Sequence, residues 1–427
     1  MQKEIIADKM KDKIVDDGGG RQEQPTTKKA RLSIVNEIPR KEKQKSPCCD
    51  FRPPPLVLDL DADLNRTITF DTGSTRRTVV VDHQIAEGGF GAIFVARDAT
   101  SANKKRKHIE TAPADCSTNS TSSHPMTYAL KRIDCCNIHG QTDQEKIDMC
   151  SREASLHTTF HHKNLMKIFG IQFTSEEKTK TSSTIKTCYM LFPYIPTSIR
   201  NDISKRRLLE DTEESNRRPY SEIEALDLFA GICDGVRTLH EYGYSHRDLK
   251  VENVLLEECH DGTKTPVITD FGSVGPVALP LTSSTTVLQV QEAVEKYTSI
   301  EYRAPELLEP KLLPYGPKEN LNYGKSDVWA LGCVFFAMLY GSSPFEIEWG
   351  ISFVGDPADG TARLTICTKD LIRREIPFPP GGSAAERRFG ESFRELIECM
   401  LNHDRFERLS SENVAGRVQK MLEQAQK

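Results

Sequence analysis

The sequence predicts an α+β protein with two lobes: a small N-terminal lobe built on an antiparallel sheet with one main helix, and a larger, mostly helical C-terminal lobe. Short runs of β-branched and aromatic residues between turn signals occupy the first part of the chain, as strands do. Apolar residues then recur at helical spacing through most of the second part. No internal repeat is visible.

Length and composition limit the class of protein. At 427 residues, with 37% apolar and 28% charged residues, the chain can form one large two-lobed domain or two ordinary ones. The composition is that of a soluble globular protein with polar extra segments. The net charge of −5 provides no electrostatic argument for binding nucleic acid, so no nucleic-acid partner is expected.

Neither an export signal nor a membrane span is apparent. The opening residues lack the charged start, apolar core and small-residue cleavage site of a signal peptide. The longest strongly apolar run, Trp329–Leu339, is about half the length needed to cross a bilayer. The 12 cysteines include no CxxC pair and are expected to stay reduced. We therefore expect an intracellular, cytoplasmic protein.

The strand-rich lobe is expected within residues 56–192, after a leading segment. Residues 1–55 are rich in polar residues, Gly and Pro, and poor in aromatics. Such a segment cannot bury enough apolar area to offset its ordering entropy, so it is expected to be disordered. From Thr78, the runs Val79–Val81 and Ala92–Val95 flank a glycine cluster, as two strands around a turn would.

The remaining elements follow in order along the chain. A polar stretch at about residues 99–126 is expected to be a surface insertion, Tyr128–Ile133 a third strand, and Glu145–Phe160 the main helix of the first lobe. Residues 193–427 are expected to form the helical lobe. Its clearest predicted helices are Glu222–Glu241, Asp327–Tyr340 and Phe393–Leu401.

Two stretches carry most of the chemistry. They are His246–Leu256 (HRDLKVENVLL) and Asp270-Phe271-Gly272, which follows a short apolar strand. Phosphoryl transfer requires an oriented hydroxyl, metal ions that bridge the phosphates, and positive charge where negative charge develops. The carboxylate of Asp248 can orient a hydroxyl and accept its proton. Asn253 and Asp270 supply hard oxygen ligands suited to Mg²⁺.

These stretches resemble the catalytic loop and the metal-binding motif of the protein kinase superfamily. The resemblance implies the two-lobed kinase fold, with ATP and Mg²⁺ (Mn²⁺ is the alternative metal) between the lobes and proteins as substrates. Ala86–Ile93 (AEGGFGAI) resembles the glycine-rich loop over the ATP phosphates. Lys131 matches the lysine that holds the α- and β-phosphates, and Glu153 matches the helix glutamate that pairs with it.

The same resemblance assigns the rest of the site. Phe192 is expected at the back of the adenine pocket, with Pro193-Tyr194-Ile195 as the hinge. The nucleotide-binding residues implied are Ala86, Glu87, Gly88, Gly89, Phe90, Gly91, Ile93, Ala129, Lys131, Glu153, Phe192, Pro193, Tyr194, Ile195 and Leu255. The catalytic residues implied are Asp248, Lys250, Asn253 and Ser299. The metal ligands implied are Asn253 and Asp270.

Motifs downstream of these residues complete the resemblance, which covers roughly Val79 to Leu422. Ala304-Pro305-Glu306 matches the end of the activation segment, here residues 270–306. Ser326–Gly332 matches the buried helix that anchors the catalytic loop. Arg408 matches the arginine that pairs with Glu306.

Acceptor specificity follows from two residues near Asp248. Lys250, two residues after it, is typical of serine/threonine kinases and can neutralise the transferring phosphate. Ser299 stands where most relatives carry threonine, and its hydroxyl can bridge Asp248 and Lys250. Serine/threonine specificity is favoured, and dual specificity stays open.

A narrower resemblance points to the Numb-associated kinase family and, within it, to the serine/threonine kinase 16 branch. It rests on Glu87–Gly91, Arg152-Glu153-Ala154, Gly243–Lys250 and the ending Phe271-Gly272-Ser273. That branch has a helix late in its activation segment, and Leu288–Tyr297 (LQVQEAVEKY) is helix-forming in this place. The resemblance implies constitutive activity, autophosphorylation, and the Golgi or another peripheral membrane site as an alternative location.

Two departures from the branch concern the loop and the membrane. Ala86 replaces the first glycine of the loop. The chain begins Met1-Gln2-Lys3, which lacks the glycine that N-myristoylation requires. Acylation of Cys48 or Cys49, beside a basic run, is the alternative route to weak membrane association. The basic clusters at residues 28–31 and 104–107 are alternatives for nuclear import, against simple solvated loops.

Two other functional classes compete with a protein kinase. A scaffold that retains only the fold is disfavoured because Lys131, Glu153, Asp248, Asn253 and Asp270 are all present. A small-molecule phosphotransferase typically lacks the Ala-Pro-Glu and Ser-Asp-Val-Trp elements found here. The physiological substrate and the oligomeric state stay open.

Overall fold

The structure is a computed structural model of the chain, and it describes residues 64–72, 75–88, 91–99, 126–179, 182–209, 220–259, 261–349, 362–383 and 386–427. The predicted disordered extension (1–55), Cys48 and Cys49, and both basic clusters lie outside these residues. So does the polar insertion, apart from its first and last positions.

The N-terminal lobe is a six-stranded sheet in which every neighbouring pair is antiparallel, in the order β1-β2-β3-β4-β6-β5. Its strands are β1 (Thr67–Asp71), β2 (Arg76–Gly88), β3 (Gly91–Asp98), β4 (Thr127–Asp134), β5 (Gly170–Thr179) and β6 (Ser182–Pro193). The sheet begins earlier than the sequence predicts, because Ile68 and Phe70 of β1 alternate inward and are almost fully buried.

The main helix of this lobe is α1 (Gln144–Thr159), within one residue of its predicted bounds. The side chain of Asp143 caps its start by accepting a hydrogen bond from the backbone N–H of Lys146. Ile147, Cys150 and Ala154 pack in a cluster with residues of β4 and β6. This packing holds Glu153, on the same helix, in a buried position beside the sheet.

The C-terminal lobe is mostly helical. Its helices are α2 (Ile199–Leu209), α3 (Glu222–Glu241), α4 (Ser284–Tyr297), α5 (Tyr323–Tyr340), α6 (Lys369–Ile372), α7 (Glu391–Met400) and α8 (Ser411–Ala425). Among its described residues, four two-stranded ladders join the loops: β7 (Tyr244–Ser245) with β10 (Gly275–Pro276), β8 (Val254–Glu258) with β9 (Lys264–Ile268), β11 (Ala278–Pro280) with β12 (Asn320–Asn322), and β13 (Ile347–Trp349) with β14 (Ala362–Leu364). None of the helices in the described ranges has both the length and the apolarity to cross a bilayer.

The core of this lobe surrounds α5, which is apolar on nearly all sides. A helix that is buried on every face is expected to be hydrophobic all round, and only Lys325 near its start and Tyr340 at its end are not buried. It starts at Tyr323, four residues before the predicted start, and ends at Tyr340, where Gly341 caps it with a φ of 92° that favours glycine. The two-lobed α+β architecture predicted from the sequence is therefore confirmed.

Helix α4 lies in the predicted activation segment and begins at Ser284, earlier than the predicted Leu288. The run of Ser and Thr residues at its start has low intrinsic helix propensity, so this turn could not be predicted from the sequence. Ser283 caps it through a 3.2 Å hydrogen bond from Thr286 N–H to its hydroxyl. Val287, Val290 and Val294 pack against a cluster that includes Leu281, Leu307, Leu321 and Tyr323.

Candidate active site

Lys131 brings three separate parts of the chain together. It lies on β4 between Ile93 of β3 and Met190 of β6, and its side chain is mostly buried. Its Nζ lies 2.7 Å from Glu153 Oε1 on α1 and 3.1 Å from Asp270 Oδ1. One ammonium group therefore joins the sheet, the helix and the start of the activation segment.

The charges at this junction stabilise one another. Burial of the Lys131 ammonium favours its neutral form, but the charges of Glu153 and Asp270 outweigh burial and raise the lysine pKa. Burial likewise disfavours the Asp270 carboxylate, but the charge of Lys131 and its hydrogen bond outweigh burial and lower the pKa of Asp270. At neutral pH the site presents an ammonium beside an ionised carboxylate.

The backbone and the neighbouring ring of Phe271 hold Asp270. Asp270 adopts the left-handed region at φ 64° and ψ 77°, which is uncommon for a residue other than glycine. Phe271 is almost fully buried and stacks on His157 of α1 with ring centroids 4.1 Å apart. The packed ring anchors the segment, so the carboxylate of Asp270 stays beside Lys131.

The carboxylate of Asp248 accepts hydrogen bonds on both oxygens. Oδ1 accepts from the backbone N–H and the hydroxyl of Ser299, each at 2.9 Å. Oδ2 accepts from Lys250 Nζ at 2.8 Å, and the same Nζ lies 2.9 Å from Ser299 Oγ. The structure therefore brings together the three residues that the resemblance assigned here.

Asn253 is buried and contacts Asp248. Its Nδ2 donates to the carbonyl oxygen of Asp248 at 2.9 Å, with a longer 3.4 Å contact to Oδ2. Within the described residues, no donor contacts Asn253 Oδ1 or Asp270 Oδ2. These are hard oxygen atoms of the kind that bind Mg²⁺ or Mn²⁺, so the two residues fit a divalent metal.

This fit needs ligands from outside the chain. No group of three or more His, Cys, Asp or Glu side chains that could hold a metal ion occurs in the part of the chain that the structure describes. An amide and one carboxylate form an incomplete shell, which phosphate oxygens and water would complete.

Asp327, near the start of α5, accepts hydrogen bonds from the backbone of the catalytic loop. It is almost fully buried, and its carboxylate accepts from the backbone N–H groups of His246 and Arg247 at 2.7 and 2.8 Å. His240 of α3 adds a third contact at 2.9 Å. The anchoring helix was predicted from the sequence, but the part played by His240 was not.

The β2–β3 hairpin holds the predicted phosphate loop. Ala86 pairs with Ile93, Glu87 with Ala92, and Gly88 with Gly91, while Gly89 and Phe90 lie outside the described residues. Gly91 has φ 127°, and a Cβ there would lie 2.1 Å from the carbonyl oxygen of Arg132 on β4. Packing of the neighbouring strand therefore also requires glycine at this position.

The predicted adenine pocket lies where β4, β6 and β8 approach one another. Ala129, Ile195 and Leu255 are partly buried in one apolar cluster, which Phe192 also joins. Phe192 is nearly buried at the end of β6, and its ring centroid lies 5.0 Å from that of His157. Pro193 pairs with Tyr128, and the half-buried Tyr194 follows β6.

Two arginines make supporting contacts that were not predicted. The guanidinium of Arg247 lies 3.8 Å from the centroid of the Tyr323 ring and donates to the carbonyl oxygen of Pro276 at 2.8 Å. Arg152 of α1 donates to the carbonyl oxygen of Val274 at 2.7 Å. Both arginines lie within predicted motifs, but no local pattern identifies their distant partners.

The comparison with protein families decides the identity of the fold. The model of the protein kinase domain matches residues 114–418, which is most of the chain. The chain belongs to the protein kinase family. The match begins after the β2–β3 hairpin, so the assignment of the phosphate loop rests on its sequence and its place beside Lys131.

Individual relatives agree with the narrower resemblance. Serine/threonine-protein kinase 16 of Rattus norvegicus is 32% identical over 278 residues, 65% of this chain and 76% of the relative. The Homo sapiens protein of the same name is 31% identical over 282 residues, 66% of this chain and 77% of the relative. A Dictyostelium discoideum protein named "probable serine/threonine-protein kinase" is 23% identical over 411 residues, 83% of this chain and 96% of the relative.

The predicted kinase fold and the resemblance to the serine/threonine kinase 16 branch are confirmed. The kinase is a serine/threonine protein kinase, which uses ATP with a divalent metal and acts on protein substrates.

Proposed function

We propose that this kinase transfers the γ-phosphate of Mg²⁺–ATP to serine and threonine hydroxyls without prior phosphorylation of its activation segment. The observation that carries the proposal is the environment of Arg247. A neutral aromatic ring, a carbonyl oxygen and the hydroxyl of Ser245 (3.4 Å) hold its guanidinium, and within the described residues no carboxylate lies within ion-pairing distance. The site therefore has no need of a phosphate to hold this arginine.

Each catalytic side chain has a role that its contacts support. Lys131, held by Glu153, is positioned to bind the α- and β-phosphates, and Asp270 and Asn253 would hold Mg²⁺ through their free oxygens. Bound Mg²⁺–ATP would supply the phosphoryl group and neutralise charge on its oxygens. Asp248 would orient the acceptor hydroxyl and take its proton, and Lys250 would stabilise the charge that develops on the γ-phosphate.

The ordered activation segment also supports activity without a phosphate switch. Helix α4 has an apolar face that packs on the C-terminal lobe, and its start is capped by Ser283. Phe271 packs inward on α1, and Lys131 and Glu153 are already paired. An enzyme that awaits phosphorylation typically has these elements displaced or disordered.

The decisive experiment measures transfer of labelled γ-phosphate by phosphatase-treated recombinant protein, with Mg²⁺, a generic protein substrate and Asp248→Asn as the control. We expect rapid transfer by the wild type alone. If the treated wild type transfers no phosphate until an upstream kinase is added, constitutive activity is contradicted. If the wild type transfers no phosphate with or without the upstream kinase, and ATP does not raise its thermal stability, catalysis itself is contradicted.

Autophosphorylation is the second part of the proposal. Ser284 and Thr285 are exposed at the start of α4, where a second copy of the kinase can reach them. Mass spectrometry of the treated protein after incubation with Mg²⁺–ATP should detect new phosphate in residues 270–306. Incorporation into the Asp248→Asn variant that occurs only when wild type is present would identify transfer between copies.

The location of the kinase is a separate proposal. We propose a cytoplasmic protein with weak membrane association through acylation of Cys48 or Cys49. A clickable palmitate analogue, added to cells that express the wild type or a Cys48→Ser, Cys49→Ser double variant, should label only the wild type. Equal labelling of both proteins would exclude these two sites.

A further inference from the structure

Arg303, just before the Ala-Pro-Glu motif, contacts the end of α4 with three hydrogen bonds. Its Nε donates to Thr298 Oγ1 at 2.8 Å, and its Nη2 donates to the carbonyl oxygens of Thr298 at 2.9 Å and Val294 at 3.3 Å. The hydroxyl of Thr298 donates in turn to the carbonyl oxygen of Val294 at 2.8 Å. The guanidinium therefore closes the last turn of the helix onto the residues that follow it.

These contacts use two of the three guanidinium nitrogens of Arg303, Nε and Nη2. The last carbonyl groups of a helix lack partners within the helix and carry partial negative charge, so a cation with several donors stabilises them. The side chain of Arg303 is partly buried, and no carboxylate within the described residues lies close enough to pair with it. Its role in the structure is to cap α4.

The capped turn leads directly to the catalytic carboxylate. Ser299 follows Thr298, and both its N–H and its hydroxyl donate to Asp248 Oδ1 at 2.9 Å. Beyond it, a single helical turn closes through Tyr302 N–H to the Ser299 carbonyl at 3.2 Å and Arg303 N–H to the Ile300 carbonyl at 3.1 Å. Arg303 thus holds the loop of residues 298–303 at both of its ends.

We propose that Arg303 is a positioning residue for Asp248, which acts through Thr298 and Ser299. It fixes the two donors of Ser299 on Oδ1, so that Oδ2 stays with Lys250 and the carboxylate keeps one orientation toward the acceptor hydroxyl. The order of α4 is thereby coupled to catalysis. This inference rests on the proposed role of Asp248 as the group that orients the hydroxyl.

The test compares three variants of the full chain. Arg303→Met keeps the apolar stem and removes every donor, and Arg303→Lys keeps the charge but loses the planar fork. Arg394→Met is the control, since it makes the same substitution at an arginine of α7 that lies over the ring of Phe378 (4.5 Å) and pairs with Glu398 at 3.0 Å. Steady-state kinetics with a protein substrate and ATP thermal shifts are measured for each.

We expect Arg303→Met to lower kcat about 10- to 100-fold, because small displacements of a catalytic group have effects of this size. The KM for ATP should stay within about twofold, since Lys131 and Asp270 do not contact this loop. Arg303→Lys should recover part of kcat, and Arg394→Met should match the wild type. A general loss of stability would instead lower both thermal stability and ATP binding.

A double-variant cycle tests the route. If Arg303 acts through Ser299, Arg303→Met should lower kcat less in a Ser299→Ala background than in the wild type. The proposal would be overturned if the fold-loss of kcat in the double variant equals the product of the losses in the two single variants. A wild-type kcat in Arg303→Met would overturn it as well. If Arg303→Met does not fold, Thr298→Val and Arg303→Lys provide the same readouts, with the same two outcomes against it. Loss of activity in Asp248→Asn with normal activity in the Arg303 variants would refute this inference alone.

Discussion

The imidazole ring of His157 lies parallel to the phenyl ring of Phe271, with centroids 4.1 Å apart and planes 6° apart. Its Nδ1 lies 2.7 Å from the carbonyl oxygen of Met166, which can only accept, so Nδ1 carries the proton. Nε2 is buried without a hydrogen-bond partner among the described residues. A neutral imidazole therefore supports the activation segment at the inner end of α1.

This arrangement predicts how stability depends on pH. Burial lowers the pKa of His157 from 6.5 to about 4, so the unfolded chain binds a proton more readily than the folded one between these values. The stability that neutral His157 provides is complete above about pH 6.5 and is lost as the pH falls toward 4.

Replacing His157 by Leu should make the free energy of unfolding less dependent on pH. Between pH 7 and pH 5 the wild type should lose about 2 kcal/mol more than the variant, because only the wild type carries this histidine. Urea unfolding at both pH values measures the difference. Equal losses in the two proteins would show that His157 does not titrate as its burial implies.

Tyr323 should be needed for activity before any phosphorylation. Its ring faces the guanidinium of Arg247 at 3.8 Å, a contact that stabilises by about 0.5–2 kcal/mol. Tyr323→Leu should lower the kcat of phosphatase-treated kinase several-fold, and Tyr323→Phe, which keeps the aromatic face, should stay close to the wild type. Equal activity of the Leu and Phe variants would mean that the hydrogen bonds of Arg247 to Ser245 and Pro276 hold it without the ring.

The ion pair between Arg408 and Glu306 should dominate the stability of the C-terminal lobe. Arg408 lies beside Trp329 and is almost fully buried, and its two Nη atoms contact the two carboxylate oxygens at 2.8 and 3.0 Å. Arg408→Met leaves a buried carboxylate without its partner, which should lower the free energy of unfolding by about 3–5 kcal/mol.

The coupling free energy between Arg408 and Glu306 is measured by urea unfolding of the two single variants and the double variant. Adding Glu306→Gln to Arg408→Met removes the isolated charge and should restore part of the lost stability. Additive losses from the two substitutions would show that each residue contributes separately, which the paired geometry argues against.

Asp270→Ala should abolish phosphate transfer. The substitution removes the carboxylate beside Lys131, and with it one of the two side chains that fit the metal. We expect transfer to fall at least about 100-fold, and the increase in thermal stability that Mg²⁺ adds to ATP binding to disappear. Asp370→Ala, on the exposed surface of α6, is the matched control and should change neither quantity. Normal turnover in Asp270→Ala would refute the assignment of the site.

Much of the site could be predicted from short stretches of sequence. Phosphoryl transfer needs a carboxylate, an amide and a lysine at close range, and His246–Leu256 carries these groups within one loop. The helices that bury an apolar stripe were also predictable, because the spacing of their apolar residues indicates which face packs against the core. The bounds of α3 agree with the prediction at both ends.

The amino-acid sequence alone was thus sufficient for the family, the two-lobed fold and the candidate catalytic side chains, because each depends on residue types at fixed local spacing. Only the tertiary structure decided that Tyr323 holds Arg247, that His157 supports Phe271, and that Arg303 caps the turn before Ser299. It also decided that α4 begins at Ser284, against the weak helix propensity of that turn. The two long-range pairs join residues far apart in the chain, and the capping contact depends on how the helix ends. Such contacts form where packing brings side chains together, and no local pattern records them.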